Sequence, residues 1–103
     1  MKLYGLKNCD TCRKAAKALG IEVTDVRATP LSRDKLALFQ QTFGDALLNT
    51  RSTTWRGLSE QEQSGDMIDL LIKHPALMKR PVISANGTLY LGWKKDVQEA
   101  LGT

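Results

Sequence analysis

Cys9 and Cys12 are the only two cysteines of the chain, and they frame the segment Cys9-Asp10-Thr11-Cys12. Two thiols at this spacing can exchange a disulfide: one attacks as a thiolate, and the other then attacks the mixed disulfide that forms. The chemistry works best when the two sulfurs differ. A helix that starts between them makes them differ, because the unpaired N–H groups and positive dipole end of its first turn favour an anion. Cys12, Ala15, Ala16 and Leu19 fall at i, i+3, i+4 and i+7, one face of a helix beginning near residue 10. Cys9 then stands at the helix entrance as the expected nucleophile. Cys12 lies one turn in, on the apolar face, as the expected resolving thiol. Arg13, four residues after Cys9, and Lys7, two before it, can add positive charge, and Asp10 works against both. Three other readings compete. A zinc site needs about four ligands, and two cysteines with the single histidine, His74, do not supply them, so no metal is expected. The others are two inert core cysteines and a structural disulfide. His74, just before Pro75, reads as a charge partner at a helix C-terminus rather than as a catalytic base.

The elements that must position these thiols follow from periodicity. Residues 1–5 alternate and read as a strand, and Gly20 ends the helix that carries Cys12. Residues 21–26 alternate again, so strand, helix and strand form a parallel βαβ unit. Pro30 and Ser32 mark a loop and an N-cap. Leu36, Phe39 and Phe43 then predict a helix over 33–43, stopped by Gly44. Residues 45–58 read as irregular. Ser59 and Glu62 make a capping box, and Met67, Leu70 and Leu71 continue that helix toward His74, with Gly65 weakening it. Residues 81–84 and 88–91 flank Asn86-Gly87, the strongest short hairpin signal. Val97, Ala100 and Leu101 predict a short final helix. A parallel pair and an antiparallel hairpin together make a four-stranded mixed sheet flanked by helices.

At 103 residues the chain is one domain's worth of polypeptide. Its 42% apolar and 25% charged residues are ordinary for a globular protein, which excludes collagen-like and low-complexity classes. No apolar run approaches the ~18 residues that cross a bilayer, and no secretory leader follows Lys2. No membrane partner and a reducing cytoplasmic location are therefore expected, and the latter disfavours a structural disulfide. The net charge of +4, with pI near 9.3, suits anionic ligands. The basic residues come at most in pairs, and the aromatics show no stacking pattern on one strand, so no direct nucleic-acid binding is expected.

Three segments in order resemble the ArsC family, which holds glutaredoxin-coupled arsenate reductases, Spx-type regulators and the small YffB-type proteins. Cys9 through Ala15 is similar to the family's active-site segment, with its cysteine followed four later by arginine. Leu47 through Trp55 resembles its central loop, and His74 through Val82 its helix-to-proline segment. The resemblance spans nearly the whole chain and is strongest to the YffB-type proteins. It implies an α/β, thioredoxin-like four-stranded mixed sheet over residues 1–103, with an inserted helical layer over about 32–78. It implies a cis Arg80–Pro81 bond beside the nucleophile, with Arg80 bringing a cation to Cys9. Cys9, Cys12, Arg13 and Arg80 then form the catalytic set, and Arg51, Pro81 and Lys7 the substrate-binding set. It also shows departures: the family's arsenate reductases carry a histidine four before the nucleophile, here Gly5, and arginines near positions here held by Asn49 and Gly92.

The first expected function is an enzyme, a thiol–disulfide reductase using glutathione as co-substrate, with no bound cofactor. Glutathione carries two carboxylates, and Arg13, Arg51 and Arg80 are its expected anchors. Glutaredoxin or thioredoxin are the other expected electron donors, and a monomer is expected. The second is an Spx-type redox-sensing regulator that contacts RNA polymerase and uses the same cysteines as a switch. The third is a true arsenate reductase.

Overall fold

A computed structural model describes all residues 1–103. The chain divides into two compact units, Met1–Thr29 with Arg80–Thr103, and Pro30–Lys79.

The first unit is a sheet with two helices. In chain order it contains β1 (Lys2–Gly5), α1 (Asp10–Leu19), β2 (Val23–Asp25) and, after the intervening unit, β3 (Val82–Ala85), β4 (Thr88–Leu91) and a final helix over Lys95–Ala100. The strand order is β2-β1-β3-β4. β1 runs parallel to β2, with Leu3 opposite Val23, and antiparallel to β3, with Leu3 opposite Ile83. β3 and β4 form the hairpin, with Ile83 opposite Tyr90. This is the four-stranded mixed sheet that the element order implied and the thioredoxin-like α/β arrangement that the resemblance implied. Asn86 and Gly87 take φ of 52° and 79°. Two successive left-handed residues match the twist of the flanking strands, which is why Asn-Gly makes this turn. Directly paired residues share a face of the sheet, so Leu3 and Ile83 point the same way. They join Cys12, Ala15, Ala16 and Val97 in a buried cluster, with Ile21, Tyr90, Trp93 and Leu101 packed around it. Tyr4 and Val82 point to the opposite face and are buried as well. The second strand is shorter than the alternation over 21–26 suggested. The ladder closes at its end, with the Val26 N–H donating to the Gly5 carbonyl at 2.9 Å.

The second unit is helical. α2 (Arg33–Phe43) opens on Ser32, whose hydroxyl accepts the Lys35 N–H at 3.1 Å. A 3₁₀ turn over Gly44–Leu47 follows it. α3 (Thr53–Arg56) opens on Ser52, and α4 (Glu60–Gln63) on the Ser59–Glu62 capping box. α5 (Met67–Lys73) ends at His74, before a second 3₁₀ turn over Pro75–Leu77. Leu36, Phe39, Leu47, Leu70, Leu71, Leu77 and Met78 are its buried side chains. The single helix expected from Ser59 to His74 is two helices. Ser64 caps α4, and the Asp66 carboxylate starts α5 by accepting the Asp69 N–H at 3.1 Å. The stretch 45–58, expected to be irregular, holds the first 3₁₀ turn and α3. Both are too short to show an apolar period. The helix Lys95–Ala100 is numbered α6 below.

Candidate redox site

The turn between β1 and α1 builds the site. Gly5 ends β1, and the Cys9 N–H donates to the Leu6 carbonyl at 3.1 Å, closing the turn. Cys9 is the N-cap of α1, with φ −92° and ψ 120°, and its carbonyl accepts the Arg13 N–H at 3.0 Å. Its sulfur makes no capping bond of the usual kind. Instead it faces the first-turn donors and Arg80.

The two thiols are driven apart. Burial acts to raise the Cys9 pKa. Hydrogen bonds from the Cys12 backbone N–H, the Cys12 thiol and Arg80, with the positive charge of Arg80, outweigh burial and lower it below the ordinary thiol value. Cys12 is 0% exposed. Burial is the largest influence on it, and although the Leu6 N–H works the other way, the nearby Cys9 sulfur adds to the rise. Its thiol is pushed up to about 12. Near neutral pH, Cys9 is thus the sulfur disposed to ionise, and Cys12 holds its proton and donates it to Cys9. Both are free thiols, and Cys9 is half-buried.

Arg80 and Pro81 reach this site from the start of β3. The Arg80–Pro81 bond is cis, as the resemblance implied. Pro81 is fully buried, and its carbonyl accepts the Gly92 N–H at 2.8 Å. Arg13 is placed differently from its expected role. It forms an ion pair with Asp10, and both side chains are largely exposed, at 61% and 81%. The cation that acts on Cys9 is Arg80. Lys7 contributes through its backbone: its N–H donates to Asp25 Oδ2 at 3.0 Å, and the residue is exposed. Arg51 belongs to the Pro30–Lys79 unit, in an exposed turn where its N–H donates to Asn49 Oδ1 at 3.2 Å. His74 caps the C-terminal end of α5 in that same unit, and its Nε2 is buried without a hydrogen-bond partner.

Asp25 is a residue that periodicity did not single out. Its carboxylate accepts three backbone N–H groups, from Lys7 at 3.0 Å, Arg27 at 2.8 Å and Ala28 at 3.2 Å. The Lys7 bond is the largest influence on it, and together the three hold its carboxyl below the usual range. One side chain thereby ties the segment leading into Cys9 to the end of β2. The only local signal was an aspartate at a strand end, a common turn residue. No group of three or more His, Cys, Asp or Glu side chains comes together to hold a metal ion. No helix is long and apolar enough to cross a membrane.

Comparison with known proteins finds relatives over nearly the whole chain. The ArsC family model matches residues 4–101. A protein of Haemophilus influenzae is 38% identical over 108 residues, covering 95% of each chain. The global transcriptional regulator Spx of Streptococcus pyogenes serotype M3 is 31% identical over 105 residues, covering 91% of this chain and 78% of its own. Among solved structures, a YffB protein superposes with a TM-score of 0.83 at 29% identity, covering 96% of both chains. An arsenate reductase (ArsC) related protein from Brucella melitensis superposes at 0.70 with 37% identity, covering 97% of this chain and 93% of its own. With a match that runs from β1 past α6 and takes in both thiols, this chain belongs to the ArsC family.

Proposed function

We propose that the protein is a thiol–disulfide reductase that draws its electrons from glutathione. The observation that carries this reading is the opposed pair of thiols, Cys9 lowered and Cys12 raised, at the mouth of α1. In the first step the Cys9 thiolate attacks a substrate disulfide; a Cys9–substrate S–S bond forms, and one substrate sulfur leaves as a thiolate. Cys12 then gives up its proton and attacks Cys9 Sγ. The Cys9–Cys12 bond forms, the mixed disulfide breaks, and the second substrate sulfur leaves and takes up the proton. The substrate has gained two electrons and the cysteine pair has lost them. Two glutathione molecules restore the pair, the first opening the disulfide as a mixed disulfide and the second releasing oxidised glutathione. The basic surplus of the chain suits a ligand with two carboxylates.

The test is NMR titration with glutathione together with turnover of a glutathione mixed-disulfide substrate. Shifts centred on residues 7–13 and 80–81, with turnover, support the reading. Turnover with thioredoxin but not with glutathione would move the electron donor, and no thiol transfer with any reductant would overturn the enzyme.

A second reading has its own support in the similarity to Spx, a transcriptional regulator. The same pair would then serve as a switch, with RNA polymerase as the partner. Retention of polymerase on the immobilised protein, changing with oxidant, favours this reading over the first.

A further inference from the structure

Gly5 lies at the end of β1, is buried, and pairs with Asp25 of β2. It is not among the glycines with positive φ. Its backbone is one that any residue could adopt, so conformation does not explain a glycine here. Space does. A Cβ built on Gly5 would meet Cys12 Sγ well inside the 3.0 Å that real Cβ atoms keep, and would stand 3.2 Å from Cys12 Cβ. The sulfur is the end of a side chain with a single rotatable bond, so it can yield only by turning about that bond. Cys12 is buried in one cluster with Leu3, Ala15, Ala16 and Ile83, in an interior with few voids to turn into.

We propose that Gly5 is a positioning residue for the resolving thiol: the space left by its missing side chain is filled by Cys12 Sγ, and this seating holds Cys12 in hydrogen-bonding reach of Cys9. The inference rests on the two-thiol reading proposed above and adds a residue to it. It concerns one step. Cys12 loses its proton and its sulfur attacks Cys9 Sγ; the Cys9–Cys12 bond forms, the bond from Cys9 to the substrate sulfur breaks, and the departing thiolate takes up the proton. Attack along the S–S axis requires the Cys12 sulfur to lie near Cys9 before the reaction starts. Turning it aside by an ångström removes that approach. It also removes the hydrogen bond that steadies the Cys9 thiolate before the first step.

The experiment loads Cys9 with a chromogenic aromatic thiol as a mixed disulfide and follows its release by Cys12, with no glutathione present. The wild-type protein is compared with Gly5→Ala, Cys12→Ala and the double variant Gly5→Ala/Cys12→Ala. Gly5→Ala should release the thiol about ten- to a hundredfold more slowly than wild type. The pH profile of Cys9 alkylation should move in Gly5→Ala to match that of Cys12→Ala, and the double variant should show no further change. Melting temperatures cover the case of poor folding: removing the Cys12 sulfur should recover stability lost in Gly5→Ala. Wild-type release and an unmoved pH profile in Gly5→Ala would overturn the proposal, as would a double variant no more stable than an unfolded Gly5→Ala. Loss of glutathione turnover with normal release in the wild type would count only against the electron donor. A wild-type protein that releases no thiol would overturn the two-thiol reading, and this one with it.

Discussion

Arg13 and Arg80 carry the same guanidinium, and their surroundings separate them. Asp10, three residues before Arg13, takes its charge in an exposed ion pair, an interaction worth about 0–1 kcal/mol. Arg80 donates to the Cys9 sulfur. Hydrogen bonds to charged groups are worth about 1.5–3 kcal/mol, and about 1.4 kcal/mol is a factor of ten. Arg80→Gln should therefore slow iodoacetamide alkylation of Cys9 near neutral pH by about tenfold or more, whereas Arg13→Gln should leave it within about twofold. Equal slowing in both variants would return Arg13 to the site. In the unmodified protein, peptide mass spectrometry should find Cys9 alkylated well before Cys12, whose thiol stays protonated until the pH approaches about 12; comparable rates would contradict the two roles. Cys9→Ser should abolish thiol transfer, and Cys12→Ser should accumulate a mixed disulfide on Cys9. Sustained turnover by Cys12→Ser would show that glutathione performs the resolving step itself. The cysteine pair was legible because its chemistry lies in adjacent residues. Arg80 was legible only through family resemblance, since no local spacing relates it to Cys9. Local spacing favoured Arg13, and it does not reveal that Asp10 claims that side chain.

Among the elements, the segment from β1 to α1 depends on a strand it does not belong to. Asp25, at the end of β2, accepts the Lys7 N–H and the N–H groups of the loop that follows it. Because its folded carboxyl lies below the ordinary value, its contribution to stability is present above the unfolded carboxyl value of about 3.9 and fades as pH falls through the folded value. Asp25→Asn, which keeps one acceptor oxygen, should cost a few tenths to about 1 kcal/mol at pH 7 by urea unfolding, because the carboxylate is exposed. The gap to wild type should close in acid below about pH 4. A gap that persists unchanged at pH 2, or none at pH 7, would mean that the carboxylate does not hold this turn. Elements whose signals are local were read correctly: Asn86-Gly87 for the hairpin, Ser32 for α2, the Ser59–Glu62 box for α4. The break between α4 and α5 was not, because Met67, Leu70 and Leu71 keep the apolar period that the capping box began. Only the competing cap on Asp66 reveals a second start. Asp25 escaped for the opposite reason, since its main partner is 18 residues away.

Across the whole molecule, the pattern of positive charge bears on which substrate the site can take. An arsenate dianion approached by a thiolate brings two negative charges together, so fixed cations must surround it. Two positions where the resemblance places a histidine and, nearby, an arginine are glycines here, and their surroundings keep them so. A side chain at Gly5 would strike Cys12 Sγ. Gly92 takes φ of 86° while its N–H bonds Pro81, a left-handed backbone that costs another residue about 1–2 kcal/mol. Asn49 stands at the third. With each lost donor costing about 10²–10³ in rate, a coupled assay with arsenate, glutathione and glutaredoxin should show turnover at least about a hundredfold below that of a glutathione mixed disulfide. Comparable rates would mean that Lys94, Lys95 or another cation supplies the missing charge. The sheet that carries the site also orders its birth. Leu3 of β1 pairs with Val23 across 23 − 3 = 20 positions and with Ile83 across 83 − 3 = 80. The longer loop must be closed before its contacts can reward it. During synthesis the thiols emerge early, while Arg80 and β3, the antiparallel neighbour of β1, emerge only with the final quarter. Until those residues dock, β1 lacks its antiparallel neighbour, Cys9 lacks its cation, and the two sulfurs are an unremarkable pair. Reactivity at Cys9 is thus acquired at the close of folding, and its appearance in a nascent chain reports that the final quarter has arrived.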